Sequence, residues 1–405
     1  MTTSNARVFD CLILSGGGAK GAYGAGAAFA LFAYYDFKKI EREVCYIGTS
    51  AGALSIAALA SHGPAELRKL WLEKANSKAV VGKSSFKLER LVVTEIIASN
   101  IPVLSDIRNF FSGQKHFTIF TNTHLKKLIR DSVDFDKLAD KHIVILTTNF
   151  TTGELQAFYS SNLFDEFILE DAAVEDEKER RLAYYQRIDS QDELVSAALA
   201  SSAIPVFFPP VKIGRDLYVD GGVGNNVPTR EAAYFSRFLE GQKKGKVLDV
   251  YCVRQDPPGV IQKISPHMGF GEILRGTLNV AQYLHMQPII DGVNRINREV
   301  QRQEEKIAAF EKWINSKSID KKTAGAVMKQ VREHFGQLGG NKAPRISLNL
   351  ITVQPSEPLG DTLDFNKQNV AKNIKRGCND MLDALVTTGK ISSSERQRIK
   401  RKHKV

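Results

Sequence analysis

Cysteine is scarce in this chain: four residues in 405, Cys11, Cys45, Cys252 and Cys378, with no C-x-x-C pair among them. That scarcity excludes a disulfide-stapled scaffold and a cysteine-based metal knot. The first three lie inside apolar, strand-like runs, so buried, reduced thiols are expected, which suits a reducing compartment. The amino terminus, Met1-Thr2-Thr3-Ser4-Asn5, lacks the basic start and apolar core of a secretory leader; export without a leader stays open. Uninterrupted apolar spans are missing as well. Two uncharged stretches, Val44 to Ala65 and Leu194 to Val211, come near the roughly 20 residues of a membrane helix. Gly48, Gly52 and Pro64 interrupt the first and Pro205, Pro209 and Pro210 the second, so the expectation is a soluble protein. Neither an acidic D-x-D-x-D-G loop nor a metal-ligand cluster is present, so no metal and no cofactor are expected.

Acidic residues are in the minority, 45 against 56 Lys and Arg, for a net charge of +11. This favours anionic surfaces, phospholipid headgroups or nucleic acid. Six of the cations, Arg396, Arg398, Lys400, Arg401, Lys402 and Lys404, crowd the last ten positions, where a solvated, frayed tail is expected. No aromatic-interleaved basic module accompanies them, so nucleic acid is not the expected partner. Hydrophobic content of 43% and charged content of 25% are those of an ordinary globular protein, long enough for two or three domains or one long α/β fold.

What the chain does have is concentrated between Leu12 and Gly52. A short apolar run breaks into Ser15-Gly16-Gly17-Gly18-Ala19-Lys20-Gly21; a helix-length stretch of small and aromatic residues follows; a second apolar run, Val44 to Ile47, breaks into Gly48-Thr49-Ser50-Ala51-Gly52. Strand, glycine loop, helix, strand, elbow and helix make a βαβ unit, whose parallel strands send both loops to one end of the sheet. A serine on such an elbow projects its hydroxyl, and Gly48 and Gly52 remove side chains that would clash. The N–H groups of Gly16, Gly17 and Gly18, with a helix dipole behind them, suit an oxyanion. Gly16-x-Gly18-x-x-Gly21 also fits the dinucleotide fingerprint, but the second strand ends in Gly48-Thr49-Ser50 where that reading wants an acidic residue. A phosphate-binding P-loop fails because Ala22 follows Gly21.

Further along, the spacing predicts a helix over Ala22 to Tyr35 and another over Ala51 to Ser61, halted at His62-Gly63-Pro64. Two amphipathic helices are expected between Phe86 and Phe111, as core packing, with an active-site cap or a bilayer-docking surface as the alternative. A buried strand is expected at Ile143 to Thr148, a turn at Thr151 to Glu154 and a second strand at Leu155 to Tyr159. A charged excursion is expected at Glu170 to Arg181, a small-residue helix at Leu194 to Ser202, and core strands ending at Asp220 and at Val253. Ile296, Val300, Ile307, Phe310 and Ile314 recur at helical steps, which predicts an amphipathic helix that packs on the sheet, caps it or meets a partner. Asp220-Gly221-Gly222 alone would read as a hairpin turn.

The order of four blocks changes that judgement. Ser15 to Gly21, Gly48 to Gly52, Ala200-Ser201-Ser202-Ala203-Ile204-Pro205 and Asp220-Gly221-Gly222-Val223-Gly224-Asn225-Asn226-Val227-Pro228 resemble, in sequence, the patatin-like lipid acyl hydrolases. The resemblance covers about residues 8 to 235; more weakly, Ile346 to Val353 and Leu359 to Phe365 look like the closing strand and helix lead-in of bacterial members. It implies a three-layer α/β/α fold with a central, mostly parallel sheet and helical C-terminal additions. The implied partition is a core over 1–255 with a helical insertion at 83–130, a helical segment at 256–345, a closing strand and helix at 346–390, and a basic tail at 391–405. It also implies a Ser-Asp dyad: Ser50 as nucleophile, Asp220 as general base, Gly16 to Gly18 as oxyanion hole, with Lys20, Gly21, Gly48, Gly52, Gly221 and Gly222 in support. Lys20 stands where the family usually has Arg, and lysine lacks arginine's planar fork. The substrate implied is a phospholipid membrane surface reached from the cytoplasm; an activator or a homo-oligomer stays unspecified. A Ser-Asp-His triad drawing on His267 or His285 is the alternative, disfavoured because that fold builds more strands before its elbow. A non-catalytic membrane-binding protein on the same fold is another.

Overall fold

The computed structural model describes residues 7–81, 120–138, 140–170, 175–205, 207–257, 270–317, 320–337 and 348–404. The helices expected between Phe86 and Phe111, and most of the 83–130 insertion, lie outside them. Among the described residues nine strands form one sheet: β1 (Arg7–Leu14), β2 (Glu43–Thr49), β3 (His142–Asn149), β4 (Leu155–Ser160), β5 (Tyr185–Arg187), β6 (Val211–Ile213), β7 (Asp216–Asp220), β8 (Gly245–Val253) and β9 (Leu350–Val353). The order is β5-β4-β3-β2-β1-β8-β9. From β3 to β9 every neighbour is parallel; β4 is antiparallel to β3 and parallel to β5, and the β6–β7 hairpin joins β3 antiparallel. Longer helices are α1 (Gly21–Lys38), α2 (Ala51–Lys69), α3 (Asn122–Arg130), α4 (Asn162–Glu170), α5 (Glu175–Tyr184), α6 (Gln191–Ser201), α7 (Thr229–Gly241), α8 (Phe270–Asn315), α9 (Lys321–Gln337), α10 (Lys367–Thr387) and α11 (Ser393–His403).

Central parallel strands are covered on both faces, so they read as continuous apolar runs and not as alternation. Leu12, Leu14, Ile143, Ile145, Tyr251 and Val253 face one core, shared with α1, α2 and α10; Phe9, Cys11, Ile13, Val144, Leu146 and Cys252 face the other, shared with α4 and α7. This is the expected three-layer α/β/α sandwich. All four cysteines are free and buried.

The small residues of α1 serve a partner far away in sequence. A Cβ on Gly26 would lie 2.0 Å from the Ile374 carbonyl oxygen of α10, and one on Gly377 would lie 1.9 Å from the Tyr23 carbonyl oxygen. The two helices therefore touch backbone to backbone, which accounts for glycine at positions where it lowers helix propensity. In α2 the helical path breaks at Gly63 (φ 84°, ψ 177°), ahead of Pro64, and then resumes to Lys69. The stop signal was local; packing of Leu67 against the core carries the chain on.

The carboxyl terminus departs from expectation. Residues 393 to 403 form α11 in place of a frayed tail. Ser392 and Glu395 make a capping box, Ile399 is fully buried, and Lys38–Glu395 (2.6 Å), Arg396–Asp383 (2.7 Å) and Lys402–Asp36 (2.6 Å) pair the helix with α1 and α10. One apolar contact and a good cap outweigh charge repulsion among the cations. Lys390, just before α11, pairs with the buried Asp249 of β8 at 2.7 Å. The predicted amphipathic helix is the second half of α8: Val300 and Ile314 are buried, while Ile296 is exposed. Among the described residues no helix is long and apolar enough to cross a membrane.

Candidate active site

One edge of β3 receives two strands head to head. Thr49, the last residue of β2, lies opposite Leu146, and Asp220, the last residue of β7, lies opposite Thr147, while β4 occupies the other edge. The ends of β2 and β7 thus meet at consecutive positions of a shared template. Immediately after Thr49 the chain turns into α2 through Ser50, whose backbone (φ 55°, ψ −128°) lies where a side-chain-bearing residue is strained. This is the elbow that the Gly48-to-Gly52 motif predicts. A Cβ on Gly52 would stand 2.0 Å from the Leu14 carbonyl oxygen, so no larger residue lets α2 leave the elbow along this path.

Asp220 does not enter a hairpin. The chain passes into a 3-10 turn over Gly221–Val223 and on to α7, and the Asp220 carboxylate is turned back toward the elbow. It accepts from the Gly222 N–H at 2.7 Å, and the Ser50 side chain is close enough to favour its charged form. Only 2% of the residue is exposed. Burial pushes its pKa up to about 7, and Ser50 and the Gly222 N–H pull the other way. Its own N–H donates to the Ala203 carbonyl at 2.9 Å and its carbonyl accepts from Thr148 Oγ1 at 3.1 Å, so the backbone is held from both sides.

The glycine loop closes the site from β1. A Cβ on Gly16 would come within 2.7 Å of Ser50 Cβ, which brings the loop and the elbow together as the βαβ topology requires. Of the three amides expected to form a cradle, that of Gly16 donates to Asn226 Oδ1 at 2.8 Å. Among the described residues the Gly17 and Gly18 amides donate to no protein acceptor. The loop is braced from segments far away in sequence: Ala19 N–H donates to the Thr362 carbonyl at 2.7 Å, and Gln255 Nε2 to the Ser15 carbonyl at 2.7 Å. Lys20 is buried and pairs with Asp256 at 2.9 Å, so its cation is engaged there. Gly21 lets α1 start against Trp71 and Ala51, and Gly221 lies against the Leu146 carbonyl at the strand junction.

Several residues of the site carry no assigned role in the sequence reading. Asn226 ties the Asp220 loop to the glycine loop, and Ser201 takes the Ser50 amide at 2.8 Å; both stand inside the quoted blocks, where position was the available signal. Gln255 and Thr362 had none, being brought in by β8 and by the segment after β9. His267 and the side chain of His285 lie outside the described residues; among those described, no imidazole hydrogen-bonds Asp220. His62 sits near the break in α2 with its ring nitrogen 3.4 Å from Lys137 Nζ.

A serine–histidine–carboxylate chain exists at the opposite end of the sheet, with Ser161 Oγ 2.9 Å from His142 Nδ1 and His142 Nε2 3.2 Å from Glu43. There Ser161 and His142 are buried, the Ser161 carbonyl accepts the first N–H groups of α4, and Glu43 is clamped by Arg7. That chain secures strand starts. Among the described residues no group of His, Cys, Asp and Glu is arranged to hold a metal ion.

The Patatin-like phospholipase family profile matches residues 12–233. A cGAMP-activated phospholipase of Pseudomonas aeruginosa (strain BWHPSA011 / Pa011) is 25% identical over 222 residues, 54% of this chain and 54% of that protein. The chain therefore spans about half the length of the curated relative it matches. Among solved structures, VipD from Legionella pneumophila aligns over 93% of this chain and 67% of its own at 16% identity, with a TM-score of 0.35. The family match takes in more than half of the chain and contains both Ser50 and Asp220, and the chain belongs to the patatin-like phospholipase family.

Proposed function

We propose that this protein is a serine lipid acyl hydrolase, of phospholipase A or lysophospholipase type, that cleaves fatty-acyl esters of membrane glycerolipids with Ser50 and Asp220. The observation that carries the reading is the placement of Ser50, on a strained elbow, beside the buried Asp220 carboxylate, whose pKa it lowers. Serine is a weak nucleophile at neutral pH and needs a base within hydrogen-bond reach; a carboxylate pushed up to about 7 by burial is a usable one.

In this mechanism the Ser50 oxygen attacks the ester carbonyl carbon as its proton passes to Asp220. The carbonyl oxygen becomes an oxyanion and takes the free Gly17 and Gly18 amides at the start of α1. Collapse breaks the bond to the alkoxy group, which leaves with the proton from Asp220 and forms the acyl-enzyme. Water then gives a proton to Asp220 and attacks the acyl carbon, and the proton returns to Ser50 as the fatty acid departs.

The net positive charge suits an anionic phospholipid surface as the place of action, approached from the cytoplasm. Since the matched relative is named a cGAMP-activated phospholipase, a cyclic dinucleotide is the first activator to try. The test is fatty-acid release from mixed phospholipid vesicles, with and without cGAMP, beside labelling by a fluorophosphonate. Wild type should release acid and take the label; a folded Ser50→Ala chain should do neither. Undiminished hydrolysis by that variant refutes the reading.

A further inference from the structure

The block Ala200 to Pro205 is part of the family resemblance and has no role in the mechanism above, yet it reaches both reacting residues. At the elbow the β2–β3 ladder stops: Thr49 pairs with Leu146, and α2 begins at Ala51. The step between them leaves a buried donor, the Ser50 N–H, and a buried acceptor, the Leu146 carbonyl. Ser201 Oγ accepts from the Ser50 N–H at 2.8 Å and donates to the Leu146 oxygen at 2.5 Å. One hydroxyl uses its donor and its acceptor to replace the missing rung. Ser201 is fully buried, so an unbridged pair there would stay unpaired. Two residues on, the Ala203 carbonyl takes the Asp220 N–H at 2.9 Å.

We infer that Ser201 is a positioning residue for the Ser50–Asp220 pair, the bridge that holds the elbow in register with the end of β7. The inference rests on the reading of Ser50 as nucleophile. Its physical basis is that the end of α6 grips the backbone of both partners, so the distance between hydroxyl and carboxylate follows from one short segment. Misplacement by less than an ångström is enough to slow a reaction that depends on alignment. Ser202, its neighbour, makes a purely local contact, donating to the Ala198 carbonyl of its own helix at 2.9 Å. It is the natural control.

The experiment compares full-length wild type, Ser50→Ala, Ser201→Ala, Ser201→Thr and Ser202→Ala. It reads hydrolysis of p-nitrophenyl butyrate, the rate of fluorophosphonate labelling, the pH profile of kcat/KM and the thermal midpoint. Ser201→Ala should lower kcat and the labelling rate by about 10- to 100-fold with KM within about twofold, the signature of an interaction that matters in the transition state. Ser50 holds the Asp220 pKa down, so loosening that contact should also move the acid limb of the profile to higher pH. Ser201→Thr, which keeps the hydroxyl, should recover most of the rate, and Ser202→Ala should behave as wild type.

The proposal is overturned by a folded Ser201→Ala chain within about twofold of wild type and with an unmoved acid limb, or by an equal fall in Ser202→Ala. If Ser201→Ala does not fold, Ser201→Thr is read against Ser201→Cys. The bridge requires the hydroxyl variant to be faster by about tenfold or more, and equal rates overturn it. An active wild type with an indifferent Ser201 sinks this inference alone. A wild type without Ser50-dependent hydrolysis sinks the hydrolase reading, and this one with it.

Discussion

Ser50 stands beside the Asp220 carboxylate and lowers its pKa because β2 and β7 end at neighbouring positions on one edge of β3, opposite Leu146 and Thr147. The two residues come from strands that run in opposite directions and never pair with each other. A parallel strand delivers its residue at the carboxyl end of the sheet; an antiparallel strand abutting it delivers the other from the far side. The arrangement also explains the burial of the carboxylate, which is shut in by the sheet end, the 3-10 turn and α6.

That burial makes pH dependence the first expectation. In the proposed mechanism Asp220 must be ionised to act as base, so kcat/KM should fall as pH drops below about 7. Stability should run the other way. A folded pKa of about 7 against an ordinary 3.8 means that the folded protein holds the proton more tightly. The contribution is full below 3.8 and is lost as pH rises through about 7. At about 1.4 kcal/mol per tenfold change in proton affinity the loss is roughly 4 kcal/mol at most. Thermal midpoints of wild type and Asp220→Asn measured from pH 4 to pH 8 should diverge in favour of the variant and level off above about 7. Parallel curves refute the buried, raised carboxylate.

The Asn226–Gly16 contact leads to a kinetic expectation. Asn226→Ala frees the Gly16 amide and unties the glycine loop from the Asp220 loop. Loss of one such buried hydrogen bond should reduce kcat by roughly tenfold or more while KM changes little. Steady-state kinetics on a soluble ester decides it, and an unaltered kcat means that the loop holds itself.

Gly52→Ala should be far more damaging than an alanine at a helix start usually is. Its Cβ would meet the Leu14 carbonyl oxygen at 2.0 Å, with the Ser15 carbonyl oxygen at 2.7 Å, and neither is a flexible side-chain end. Overpacking against backbone costs about 1–3 kcal/mol or more. The variant should show both a lower denaturation midpoint and slower fluorophosphonate labelling. Loss of one without the other separates stability from elbow geometry.

The terminal helix gives a prediction that a frayed tail does not. Ile399 is fully buried, so Ile399→Ala should cost about 2–4 kcal/mol. Replacing the exposed Arg401 by alanine should stay within about 0.5 kcal/mol of wild type. Chemical denaturation of the two variants checks this, and equal midpoints return α11 to the solvent.

Local rules carried a good part of this protein. The elbow at Ser50, the glycine loop, the break at Gly63-Pro64 and the cores of β1, β2, β3 and β8 were readable because strand runs, turn residues and helix caps are properties of a few adjacent residues. The C-terminal helix shows where such rules fail: its cations were legible, whereas the burial of Ile399 comes with the packing of α11 on α1 and α10.

The order of blocks along the sequence determined that a serine elbow, a glycine loop and an aspartate would be present, and which family the chain would join. Only tertiary structure decided how they meet: that β7 abuts β2 on β3, that Asn226 claims the Gly16 amide and leaves two others free, and that Ser201 fills the broken rung. Each depends on hydrogen bonds between segments whose separation along the chain says nothing of their distance in space. A buried donor takes whichever acceptor the packed layers bring to it.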